Sequence, residues 1–320
     1  MNKYSTLCLV YTDKCNANCS ICSFECSPHK SNKISVEDAK KYIDEAVEFS
    51  GVNRLAITGG EALLYYDEIL EVINHAYKKG LNVTCNSNGY WAKTLDEAGM
   101  KMLNLIQAGL KQLTISVDEY HMKYIPIENI RNIITAAKRL KFHVVLECVV
   151  LKHSKRVWDI TKELGDCICD VEIIERLCLP FGSARNINRE EFFTSDIRYI
   201  KCNYSDVMTV LPNKKVYSCC SEGGFTETMK SADLSKDSIK DAVESYSQNK
   251  LMFLVKNLGF SWLIEEIKNN NLNIELKESY VNVCEVCYDL FNNKKNIDIL
   301  NPVIDKKFEE IMNIISSQRS

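Results

Sequence analysis

Three cysteines behind an apolar run constrain this chain more than any other feature. Cys15-Asn16-Ala17-Asn18-Cys19-Ser20-Ile21-Cys22 is a C-x3-C-x2-C run just after the segment Leu7 to Tyr11. Three thiolates this close can hold three irons of a cubane [4Fe–4S] cluster. Ordinary ferredoxin runs supply a fourth Cys to each cluster; here the obvious fourth, Cys26, lies outside the spacing. The open iron can take the amino and carboxylate groups of S-adenosylmethionine (SAM), and an electron passed through the cluster then cleaves SAM to a 5′-deoxyadenosyl radical. A zinc knuckle or structural thiols are the alternatives. Zinc sites usually carry paired C-x2-C or Cys/His sets, and here the only nearby histidine is His29.

A second motif, Ala56-Ile57-Thr58-Gly59-Gly60-Glu61-Ala62, follows a β-type run and precedes a helix. Glycines at a strand-to-loop junction let backbone approach a ligand closely, and the Glu61 carboxylate beside them can receive an ammonium group. Alone, G-G-E also describes a simple turn. Taken with the cysteine run, it resembles the radical SAM superfamily, whose second strand ends in a G-G-E motif that binds the methionyl amine.

Composition agrees with a soluble enzyme large enough for two units. Net charge is −3, so bulk charge attracts neither nucleic acid nor membrane. No apolar stretch reaches the roughly 20 residues that span a bilayer, and no signal-peptide pattern opens the chain. Fifteen cysteines without a secretory signal argue for metal chemistry in a reducing, oxygen-protected cytoplasm rather than a disulfide framework.

Strand signals at residues 5–11, 53–57, 81–86, 112–117, 142–150 and 171–177 alternate with helical periods. Ser35-x-x-Asp38 reads as a helix start and Thr94-x-x-Glu97 as a capping box; Gly80 and Gly165 sit where helices should stop. Such alternation implies parallel strands with right-handed crossovers. The expected fold is α/β: a partial (β/α)6 TIM-type radical SAM barrel over residues 1–190, with its chemistry at the C-terminal strand ends. A small C-terminal domain with helices follows over 191–320. There, residues 207–211 and 215–219 read as a hairpin, about 235–270 as helical with a docking face of Leu251, Phe253, Leu254, Leu258, Trp262 and Leu263, and 301–320 as a final polar helix.

Polar residues fall at the expected barrel rim: Asn88 in Ser87-Asn88-Gly89, Ser116 and Asp118 after the fourth strand, and Glu147 in the fifth. They are candidates for contacts to SAM and substrate, together with Gly59, Gly60 and Glu61. Asn-Gly is also a turn signal in any protein, so Asn88 carries both readings. The roles of His121 and Cys26 stay open.

The C-terminal part offers a second ligand set. Cys284-Glu285-Val286-Cys287 can meet Cys202 and Cys219 across the hairpin, completing a second [4Fe–4S] cluster with no open site; a zinc site built from four cysteines has the same ligand count. Neighbouring strand residues point to opposite faces. If Cys219 faces the cluster, Cys220 faces away, toward the barrel mouth, as a free thiol. The alternative is a small buried apolar residue, which is also the reading for Cys8, Cys85, Cys148, Cys167, Cys169 and Cys178.

Across nearly its whole length the chain resembles the radical SAM peptide epimerases of the epipeptide type. The resemblance rests on the cysteine run with Cys26-Ser27-Pro28, Thr58-Gly59-Gly60-Glu61, Ser87-Asn88-Gly89, Asp118-Glu119-Tyr120-His121, Leu164-Gly165-Asp166, Cys202-x3-Asp206, Tyr217-x-Cys219-Cys220-Ser221 and Cys284-x2-Cys287. It implies an auxiliary cluster domain of the SPASM/twitch kind and conversion of L- to D-residues, typically Val or Ile, in a ribosomally made precursor peptide. It also implies that Cys220 is the hydrogen donor and that Asp206 lies in the active site. Expected cofactors are SAM and two [4Fe–4S] clusters; an electron donor such as flavodoxin or ferredoxin is the expected second partner. No winged-helix peptide-recognition domain precedes Lys3, so the barrel and C-terminal part are expected to grip the peptide themselves. A radical SAM peptide cross-linker, forming a thioether or carbon–carbon bond, is the alternative enzyme, and an iron–sulfur sensor or peptide-binding scaffold the non-enzymatic one.

Overall fold

The computed structural model describes residues 3–196, 202 and 206–317. Six strands, β1 (Thr6–Val10), β2 (Arg54–Thr58), β3 (Asn82–Ser87), β4 (Leu110–Ser116), β5 (Val144–Val150) and β6 (Glu172–Leu177), alternate with α1 (Val36–Ser50), α2 (Tyr66–Lys78), α3 (Leu95–Ala108), α4 (Ile127–Leu140) and α5 (Val157–Leu164). All six strands run parallel, each paired to the next in sequence. Ends shift by one or two residues from the sequence reading. Leu7, Leu9, Leu55, Ile57, Val83, Leu113 and Ile115 are fully or almost fully buried and pack with the inner faces of the helices.

The local signals work as their chemistry requires. The Ser35 side chain accepts from Asp38 N–H and starts α1; Gly51, in the left-handed region, ends it. Thr94 accepts from Glu97 N–H, but the Glu97 carboxylate does not complete the box, and its buried Oε2 has no partner.

The C-terminal part does not form a separate sheet. Strand β7 (Val207–Val210) pairs parallel to β1, matching Thr6 with Val207 and Leu9 with Val210. Strands β8 (Lys215–Tyr217) and β9 (Lys230–Asp233) follow antiparallel, giving one sheet in the order β6-β5-β4-β3-β2-β1-β7-β8-β9. The sheet therefore runs through the expected boundary at residue 190. It stays open at β6, which is consistent with a partial barrel.

Helices α6 (Ile239–Ser247), α7 (Lys250–Leu258) and α8 (Ser261–Asn269) fill the expected helical stretch, broken where Asn249 caps α7 and Gly259 ends it. Leu251, Leu254 and Leu263 of the expected docking face are buried, but Leu258 is exposed. Tyr246 of α6 stacks on Tyr4 just before β1, ring centroids 3.9 Å apart. Helix α9 (Val283–Phe291) carries the C-terminal cysteine pair. Helix α10 (Lys294–Ser317) starts earlier than the Asn301-Pro302 pair suggests, because Asn293 caps it by accepting Lys295 N–H, and Pro302 lies inside it. No helix among the described residues is long and apolar enough to cross a membrane.

Candidate functional site

The loop after β1 is stitched to the end of β2 by backbone. Gly60 N–H donates to Thr12 O at 2.8 Å and Glu61 N–H to Lys14 O at 2.9 Å. A Cβ on Gly60 would lie 2.2 Å from Lys14 O and 3.1 Å from Cys15 Cβ, and one on Gly59 would lie 2.5 Å from Thr12 O. Only glycine lets the cysteine loop sit this close to the strand end. Cys15 and Cys19 are buried together, with Cys22 packed on them. Burial pushes the Cys15 and Cys19 thiols up, to about 11 and about 12.

Cys26 stands behind Cys22. Its thiol hydrogen-bonds Cys22 and lowers that group, and its N–H donates to Cys22 Sγ at 3.3 Å. The placement makes Cys26 a hydrogen-bond partner of Cys22.

Glu61 ties the ends of β2 and β3. It is fully buried; Oε1 accepts from Leu63 N–H (3.1 Å) and Ser87 Oγ (2.9 Å), and Oε2 from Asn88 N–H (2.7 Å). Burial raises its carboxyl to about 7, against these three donors. A carboxylate has about four lone-pair sites, so an acceptor site is left for a further donor. The Asn88 amide donates to Asn16 at 2.9 Å and reaches toward Cys15 Sγ at 3.8 Å, while its oxygen accepts from Tyr90 N–H. Asn88 thus shapes its own turn and touches the cysteine loop.

Asp118 differs from the rim contact expected of it. Its fully buried carboxylate accepts from Tyr120 N–H (3.0 Å), His121 N–H (2.9 Å), His121 Nδ1 (2.9 Å) and Val149 N–H (3.3 Å). Burial pushes the His121 imidazole down, but Asp118 more than reverses this and the net shift is upward. The group Asp118 presents to the mouth is therefore His121, a residue the sequence left open. Ser116 stands opposite Glu147 in the β4–β5 register. Glu147 lies on the cavity wall with Arg176 3.9 Å away, and burial raises its carboxyl.

The interior of the barrel is a 1020 Å³ cavity whose wall includes Thr58, Glu147, Cys8, Asp206 and Cys220. Asp206 is fixed to the start of β1: its Oδ2 accepts from Ser5 Oγ at 2.7 Å and its carbonyl from Ser5 N–H at 2.9 Å. Cys220 lies on the wall of the same cavity. Strand β8 runs antiparallel to β7 and so away from the mouth, and Ser218 reaches Tyr4 Oη at 2.8 Å. The wall also includes Thr6 and Cys8 of β1 and Ser23 of the cysteine loop. Burial pushes its thiol well above the usual range, so it stays an S–H group at neutral pH.

Cys219 turns the other way. Together with Cys202, Cys284 and Cys287 it lines a second, apolar hollow with Met229, Met252 and Phe260. A Cβ on Gly224 would lie 2.5 Å from Cys219 Sγ, and one on Gly223 2.4 Å from Cys284 O. Cys284 and Cys287 are i,i+3 on α9 and so share a face; Asn282 caps that helix by accepting from Cys284 N–H at 2.9 Å. Among the described residues no three His, Cys, Asp or Glu side chains converge on one metal ion; a cubane makes the wider demand of one iron per thiolate. The donor chemistry and the glycine cradles fit such a group at both sites.

Sequence reasoning missed Glu285. It is 2% exposed, between the two cysteines of α9, and it bonds Arg189 (2.7 Å), Lys277 (2.8 Å) and Val281 N–H (2.8 Å). No spacing signal marks it, because Arg189 is 96 residues away and Lys277, eight residues before it, lies outside the helix that carries it. Both cations keep two-fifths or more of their side chains in water, so they can rehydrate when Glu285 is lost. Glu285→Gln is therefore expected to cost about 1–3 kcal/mol and to lower iron retained at the C-terminal cysteines. Urea unfolding and iron analysis check this; unchanged values for both would contradict it.

Residues 9–163 match the model of the Radical SAM superfamily. This stretch, just under half of the chain, is thus similar to the radical SAM proteins. Among its relatives is YydG of Bacillus subtilis (strain 168), a protein named for peptide biosynthesis. It is 26% identical over 316 residues, covering 95% of this chain and 98% of YydG. The GTP 3′,8-cyclase of Nautilia profundicola (strain ATCC BAA-1463 / DSM 18972 / AmH) is 33% identical over 109 residues, 31% of this chain and 34% of the cyclase. The crystal structure of BtrN in complex with AdoMet and 2-DOIA shares the fold, with a TM-score of 0.52 and 13% identity over 88% of this chain and 99% of BtrN.

Proposed function

We propose that this chain is a radical SAM peptide epimerase that converts L-residues, Val or Ile, to D-residues in a ribosomally made precursor peptide. The observation that carries the reading is the split at Cys219-Cys220: one thiol faces the four-cysteine hollow and the next faces the barrel cavity. The likeness to YydG, named for peptide biosynthesis, supports a peptide as substrate.

When bound at Cys15, Cys19 and Cys22, the cluster and SAM supply a carbon radical that takes a hydrogen atom. In this reading Gly59, Gly60 and Glu61 hold the SAM amine, with Asn88, Ser116 and Glu147 around it and Asp118 acting through His121. The peptide residue enters the cavity and loses its Cα hydrogen on the mouth side. The Cα centre becomes planar, flanked by its amide and carbonyl. Cys220, on the cavity wall, returns a hydrogen atom to the other face. The S–H bond breaks, a C–H bond forms, and Cys220 is left needing one electron and one proton. Asp206, fixed by Ser5, orients the substrate backbone or the thiol. Cys202, Cys219, Cys284 and Cys287 would hold a second [4Fe–4S] cluster, which would supply the electron that Cys220 needs, with a flavodoxin or ferredoxin as the external donor.

The product tests the reading. Anaerobic incubation in ordinary water with a Val/Ile-rich peptide is expected to give D-residues by chiral analysis and an unchanged peptide mass. A product two hydrogens lighter would reject epimerisation in favour of cross-linking.

A further inference from the structure

The sheet is open at β6, and among the described residues no strand pairs with its outer side. One bond fixes which backbone groups face outward. Cys178 N–H donates to Val150 O of β5 at 2.9 Å. Backbone groups alternate sides along a strand, so Leu177, Glu175 and Ile173 point their N–H and C=O groups away from β5. Among the described residues no turn or loop backbone bonds to these three. Side chains follow the complementary period. The register sets Ile174 against Glu147 and Arg176 against Val149, and Glu147, Val149 and Arg176 line the cavity. Glu175, Arg176, Leu177 and Leu179 all border the cavity.

We propose that β6 is the docking strand for the substrate peptide, which adds to its free edge as one more strand and closes the open side of the barrel. This rests on the peptide-substrate reading and specifies how that substrate is held. Main-chain pairing recognises a peptide by its backbone, while pockets read alternate side chains. A reaction at Cα needs such a grip. Pairing fixes which face of each Cα looks to the mouth and which to Cys220, and this fixed geometry is what a stereospecific transfer requires. Alternate residues of the added strand project into the cavity beside Arg176. The exposed charges Glu172, Glu175 and Arg176 on β6 disfavour its pairing with a second copy.

The test uses reconstituted enzyme and a fluorescein-labelled synthetic Val/Ile-rich peptide. Ile173→Pro and Glu175→Pro each remove an outward N–H and leave the β5 ladder intact, since edge strands accept proline where the N–H faces away from the sheet. Each is expected to weaken binding roughly fivefold, while Glu175→Ala, which keeps the N–H, stays within about twofold. SAM binding reports whether the variants are folded. On wild-type enzyme, N-methylation of successive peptide residues is expected to cut affinity at every second position. If the prolines do not fold, this scan decides. Binding that ignores both prolines, or a scan without period two, overturns the docking and leaves the peptide reading standing. A wild-type dimer dissolved by the prolines assigns the edge to a second copy and overturns it. Failure of wild-type enzyme to bind the peptide overturns the peptide reading and the docking together.

Discussion

Cys220→Ala is expected to keep SAM cleavage and lose inversion. Neither SAM cleavage nor removal of the Cα hydrogen uses this thiol, which lies on the cavity wall with Asp206 and the first half of β1. Formation of 5′-deoxyadenosine should stay within about twofold of wild type, and the peptide radical should linger or be quenched from the original face. The change also removes little packing, because a buried Cys behaves as a small hydrophobe close in size to Ala. Loss of D-residues with intact SAM cleavage therefore separates a donor role from a structural one. Inversion at the wild-type rate would reject the donor and move weight to Cys26, which partners Cys22 near the mouth, or to cross-linking.

Replacing Cys15, Cys19 and Cys22 together by Ala is expected to abolish reductive SAM cleavage and leave the second site loaded. The two cysteine sets are built from different elements. The first hangs on the loop after β1, clamped by backbone bonds to Gly60 and Glu61. The second is held by α9, the end of β8 and Cys202, and none of these depends on the three thiols. The triple variant should retain about four irons per chain and a [4Fe–4S] spectrum. Iron counting and a deoxyadenosine assay on one sample decide this. Undiminished deoxyadenosine would remove the first assignment; bound zinc in place of iron would remove the second.

What the sequence reveals here follows from how local each cause is. The βα alternation, the Ser35 and Thr94 caps and the opposite facing of Cys219 and Cys220 depend on a few neighbouring residues. The pairing of β7 with β1 joins segments some two hundred residues apart, and no local pattern encodes it. Strand β9 is Lys-Ser-Ala-Asp, too short and polar for a period-two signal. In the site, residue types were legible and partners were not. Asp118 reads as a rim carboxylate, yet its lone pairs are taken by its own loop, by β5 and by His121. Glu285 carries no sequence signal because Arg189 and Lys277, which neutralise it, lie outside its helix.

The central claim is that Cys220 delivers a hydrogen atom to the second face of Cα. A thiol proton exchanges with solvent before transfer, whereas the Cα–H of an untouched residue does not. Wild-type enzyme turning over its peptide anaerobically in heavy water is therefore predicted to place one deuterium at each inverted Cα and none at residues that stay L, read by mass spectrometry of the hydrolysed peptide. D-residues that carry only protium at Cα would contradict the account.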